Sequence, residues 1–218
     1  MKILLALLLS LALFGCADTN NDDVVIVSKE LPVKEDISSH LASTSPIKAS
    51  NLDDYLFRDD CVYIDTRDAK QFYSEGHVAG FTNIPFYGYI TDFKYNPNTL
   101  FSSNKSSNGE NSINFGHKGS YSPNYEESIK LIEDVIPHDK NILVISTAGV
   151  ESAYFLNLLS QLGYDDSKLY NVGCFSNGMG EDVAYSRLED VSYLVECIEL
   201  YDTNIQYILD IENYNAIN

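Results

Sequence analysis

The chain has 218 residues, 44% of them hydrophobic and 21% charged, with 32 acidic side chains against 14 basic ones and a net charge of −18. That length and apolar content support one sizeable core, and exclude both a string of domains and a disordered acidic chain. So acidic a surface repels phosphate backbones and anionic headgroups, which argues against nucleic acid as a partner and against simple electrostatic docking to a membrane.

The N-terminus is a separate matter. Met1-Lys2 precede an apolar run over residues 3–14, relieved only by Ser10. It is too short for a membrane-spanning helix, which takes roughly 20 apolar residues. A charged start, a short apolar stretch and a small residue at its end describe a secretory signal. Leu13-Phe14-Gly15-Cys16 closes the run and resembles the lipobox of bacterial lipoproteins, where cleavage precedes a cysteine that carries the lipid. Phe14 departs from that pattern, because a smaller residue usually stands there. The resemblance implies a signal peptide over residues 1–15 and acyl chains such as palmitate on Cys16. It also implies anchorage to a membrane of the bacterial cell envelope, on the extracytoplasmic face. Buried acyl methylenes contribute about 0.8 kcal/mol each, so several chains would hold firmly. An ordinary secretory signal containing a cysteine is the alternative.

Residues 16–50 read as a tether or linker: a polar run from Ala17, a β-prone Val24-Val25-Ile26-Val27, then serines with Pro32 and Pro46. A domain is expected over residues 51–180. Leu52-Asp53-Asp54-Tyr55-Leu56-Phe57 reads as a short helix, Val62-Tyr63-Ile64 as a buried strand ending at Asp65, residues 69–74 as a helix, and Thr82-Asn83-Ile84-Pro85 as a strand stopped by proline. Residues 88–124, rich in Ser, Asn and Gly, show no period and read as a long loop. Residues 125–136 place Ile129, Ile132, Val135 and Ile136 at helical spacing before Pro137. Ile142-Leu143-Val144-Ile145 is the strongest strand signal, residues 152–162 form a helix with Gly163 after its end, and Leu169-Tyr170-Asn171-Val172 is the last strand. Strands alternating with helices indicate an α/β domain with a mainly parallel sheet. Residues 181–218, with nine acids against the single base Arg187, read as an acidic helical extension whose apolar face recurs from Leu188 to Leu209.

Two stretches carry a family likeness. Val62-Tyr63-Ile64-Asp65-Thr66-Arg67, Phe72, Glu75-Gly76-His77-Val78-Ala79-Gly80 and Asn83-Ile84-Pro85 resemble the opening of rhodanese-like domains. Ser146-Thr147-Ala148-Gly149-Val150-Glu151-Ser152, between a strand and a helix ending in Leu162-Gly163-Tyr164, resembles that family's active loop. The resemblance implies a rhodanese-like fold, a mainly parallel central sheet flanked by helices, over roughly residues 52–180. It gives His77, Asp65 and Arg67 structural roles, with Arg67 seeking a carboxylate on the neighbouring helix.

In the family, the loop begins with a cysteine whose thiolate takes up a sulfane sulfur, held by backbone N–H groups at a helix N-terminus. Here Ser146 holds that position, and a hydroxyl that stays protonated near neutral pH carries no sulfur. In the related phosphatase loop, Ser146 would replace the cysteine and Ser152 the arginine, while Glu151 stands where active sulfurtransferases often carry a basic residue. The expected function is therefore a catalytically inactive binding or scaffold module with a protein partner in the envelope. Two alternatives remain: a sulfurtransferase-type enzyme using a displaced cysteine, Cys174, which follows the last strand, or a small-ligand-binding protein using the 146–152 loop. The four cysteines form no C-x-x-C pair and no cluster with histidine, so no metal site, disulfide scaffold or cofactor is expected.

Overall fold

The computed structural model describes residues 28–92, 98–103, 121–178, 183–196 and 211–217. Its centre is a four-stranded parallel sheet. β1 (Cys61–Asp65), β2 (His77–Val78) and β3 (Thr82–Asn83) come early in the chain, separated by α1 (Ala69–Ser74) and turns. β4 (Thr91–Asp92), β5 (Phe101–Ser103) and β6 (Tyr121–Pro123) follow, then α2 (Ser128–Val135), β7 (Asn141–Ser146), α3 (Val150–Gln161), β8 (Leu169–Cys174) and β9 (Leu194–Val195). The central order is β3-β1-β7-β8. All three of its pairings are parallel.

Side chains alternate across a strand, and β7 shows what that does here. Ile142 and Val144 enter a core layer with Ile64, Phe155, Leu158 and Leu159. Leu143 and Ile145 enter a second layer on the other face with Leu52, Tyr63, Val172 and Phe175. The strand is thus buried on both sides, as its unbroken apolar run requires. α3 is buried from Ser152 to Ser160. It ends in a Schellman arrangement, with Gly163 at φ +93°, its N–H bonded to the Ser160 carbonyl, and the Tyr164 N–H bonded to the Leu159 carbonyl at 3.1 Å.

Three sequence expectations change. The 16–50 tether is no tether over residues 28–50: Ile47 and Ala49 are core residues, and Lys34 is only 5% exposed. The Lys34 ammonium donates to the Asp166 and Leu169 carbonyls, both at 2.9 Å. This segment continues into a 3₁₀ helix, Ala49–Tyr55, in place of a helix over residues 52–57. Cys16 and residues 24–27 lie outside the described residues.

The 88–124 loop, second, contains a small sheet of order β4-β5-β6, with Leu100, Phe101 and Tyr121 buried. Short strands separated by polar residues leave no period to read. Third, residues 188–196 of the C-terminal extension are not helical, and only the short 3₁₀ turn Tyr185–Arg187 precedes them: β9 pairs antiparallel with β2, and the Asp53 carboxylate accepts from the Ser192 N–H at 2.7 Å and the Tyr185 hydroxyl at 2.5 Å. Leu188, Val191 and Leu194 still turn inward, so an extended chain satisfies the spacing that suggested a helix. Cys197 lies outside the described residues. On α2 Ile132 is buried, as is Ile136 just past its end, while Ile129 and Val135 are exposed. Among the described residues no helix is long and apolar enough to cross a membrane.

Candidate functional site

Ser146 ends β7, and the next residues turn sharply into α3. The turn depends on Gly149 at φ +79°, a left-handed conformation that L side chains resist. Ser146 is fully buried. Its Oγ accepts from the Gly149 N–H at 2.9 Å and, less closely, from the Ser152 N–H at 3.4 Å. The loop's amides therefore converge on the serine's own oxygen. Both contacts are donors, and neither is a base that could take the hydroxyl proton.

Glu151 lies in the first turn of α3, where its charge complements the helix dipole. Among the described residues, its Oε2 and the buried Ser152 Oγ have no hydrogen-bond partner. Thr147 reaches across to α1, with its hydroxyl 3.5 Å from Gln71 Oε1. The loop is also tied to the chain after β8, because the Phe175 N–H donates to the Ser146 carbonyl at 2.8 Å and the Asn177 N–H to the Thr147 carbonyl at 2.9 Å.

Cys174 sits directly opposite Ser146 in the β7–β8 register. It is 2% exposed. A small cavity of about 110 Å³ is lined by Cys174, Gly173, Lys48 and Ser50, among others. Sequence reasoning missed Lys48, which lies far off in the chain, although its ammonium is bonded to the Ala42 carbonyl. Cys61 opens β1, at the opposite end of the sheet. Burial, reinforced by Asp60, pushes its thiol up to about 11.

Arg67 finds its main carboxylate in Asp65, two residues away: Nη2 to Oδ2 is 2.7 Å, and Nε lies 3.0 and 3.1 Å from the two oxygens. The expected carboxylate on the neighbouring helix is replaced by a weaker partner just past its end, the C-cap residue Glu75, at 3.5 Å from Nη1. Nη2 also donates to the Gly76 carbonyl at 2.8 Å, and the guanidinium lies 3.7 Å from the Phe175 ring centroid. Burial raises the Asp65 carboxyl's pKa, and the Arg67 fork opposes the shift. The ring of His77 stacks on Phe72 at 4.0 Å. Its pKa is held below the ordinary histidine value by burial. Among the described residues no group of three His, Cys, Asp or Glu side chains could hold a metal ion.

Among known families, the rhodanese-like domain matches residues 48–177, more than half of the chain. The chain belongs to the rhodanese-like domain family. No curated protein gives a significant match. The matched stretch begins at Lys48, so the packed segment 28–47 and the β9 segment lie outside the rhodanese-like match and yet contribute to its core. Asp65, Arg67, His77, the 146–152 loop and Cys174 all fall within it.

Proposed function

We propose that this rhodanese-like protein is a lipid-anchored, extracytoplasmic binding or scaffold module that does not transfer sulfur. The observation that carries the reading is Ser146. A sulfur carrier attacks thiosulfate with a thiolate, releases sulfite and keeps the outer sulfur as a persulfide, and the loop amides then stabilise the persulfide anion. In this chain a buried hydroxyl stands at the loop's start and already accepts the Gly149 and Ser152 N–H groups. Glu151 adds a carboxylate where an anionic donor would approach, which supports the same reading through like-charge repulsion. The lipid anchor rests on Cys16 in its lipobox-like setting.

The test is a thiosulfate:cyanide assay of the full chain beside a pull-down from its own cell envelope. The expected results are no thiocyanate above background and capture of a discrete protein partner. Thiocyanate produced catalytically would overturn the reading.

One observation favours a second reading, an enzyme acting through Cys174: its register opposite Ser146. Its burial weighs against this, and thiosulfate-dependent persulfide on Cys174 would establish it.

A further inference from the structure

Residues 31–48 run across the flank of the 146–152 loop. The methyl of Ala42 occupies the space beside two glycines, since a Cβ built on Gly149 would lie 3.2 Å from Ala42 Cβ and 3.3 Å from the Gly173 Cα. The Asn171 amide clamps the two together, donating to the carbonyls of His40 and Gly149 at 2.9 Å each. Lys34 anchors the near end of the segment on the Asp166 and Leu169 carbonyls. Between these fixings, the side chain of His40 is buried to 5% exposure. Its Nδ1 lies 2.7 Å from Asn157 Oδ1 on α3, and its Nε2 lies 3.3 Å from Asp166 Oδ1.

We propose that residues 35–46, held at their ends by Lys34 and the buried Ile47, are a strap over the active-loop flank, latched by His40 and released by mild acid. The inference is independent of whether the loop moves sulfur. The charged groups acting on His40 are Lys34 from its own segment and Asp166 from the turn after α3, while α3 and β8 face it with the neutral amides Asn157 and Asn171. Burial lowers the ring's pKa, and Lys34 pushes the same way, against the opposing pull of Asn157 and Asp166.

A histidine whose folded pKa is depressed stabilises the closed strap fully above its ordinary value of 6.5, and that contribution is lost as pH falls through the depressed value. Release of the strap removes the Ala42 methyl and one of the two carbonyls held by Asn171. The loop then gains freedom at Gly149.

Hydrogen exchange of the full chain, corrected for intrinsic rates, tests this between about pH 7.5 and pH 5, where histidine titrates and most carboxylates do not. In the wild type, protection of residues 40–45 and of the Gly149 and Ser152 amides should fall roughly tenfold per unit of pKa depression, with β1 and β7 unchanged. In His40→Gln this pH dependence should vanish. Equal pH dependence in the variant would overturn the proposal. Should the variant not fold, the wild-type series still decides: loss of protection in the strap and loop ahead of β1 supports the latch, and uniform or absent loss refutes it.

Discussion

Arg67 is fully buried with Asp65, and its fork geometry is what makes that burial tolerable. Removing one partner of a buried ion pair strands the other charge, at a cost of about 3–5 kcal/mol. Arg67→Ala should therefore lose that much stability in urea denaturation, and a loss under about 1 kcal/mol would mean Asp65 finds other donors. The pair was legible as a motif, but its internal partnering was not, because a side chain's choice between Asp65 and Glu75 depends on the turn's geometry. The same limit applied at Ser146: the missing thiol could be read directly, whereas the convergence of two N–H groups on Oγ depends on how the turn folds. Restoring the nucleophile alone leaves Glu151 opposing an anionic donor. Ser146→Cys should show little thiosulfate sulfurtransfer, and Ser146→Cys with Glu151→Arg should exceed either single change. Vigorous transfer by Ser146→Cys alone would show that Glu151 does not matter.

β1, α1, β7, α3 and β8 could be read because each carries its own signal: an apolar run, a helical period, or a glycine after the last turn. The 28–50 segment could not. Its contacts are long-range, such as Lys34 to the Leu169 carbonyl across 135 positions, and its scattered apolar residues among serines and prolines carry no period. Ile47 makes the consequence measurable. It is fully buried in the layer that includes Leu143, Ile145 and Val172. Ile47→Ala should cost about 2–5 kcal/mol, the range for truncating a buried aliphatic side chain. A change within about 0.5 kcal/mol, the scale of ordinary surface substitutions, would return this segment to the role of linker. The small β4-β5-β6 sheet and the β2–β9 ribbon escaped for a related reason, since two- and three-residue strands are too short to show alternation.

At the scale of the molecule, an acidic chain carrying a net −18 is held apart from anionic headgroups by charge, so on the proposed reading attachment rests on acyl chains at Cys16 alone. Detergent-phase partitioning of the wild type against Cys16→Ser tests the anchor, with the wild type expected in the detergent phase and the variant in water. Equal partitioning into water would refute lipidation. The central claim, a rhodanese-like domain whose loop no longer carries sulfur, is tested most directly by intact-mass spectrometry of the full chain after exposure to thiosulfate. The account predicts an unchanged mass, with none of Cys61, Cys174 and Cys197 gaining sulfur. A thiosulfate-dependent gain of one sulfur atom, mapped to any of these thiols, would contradict it.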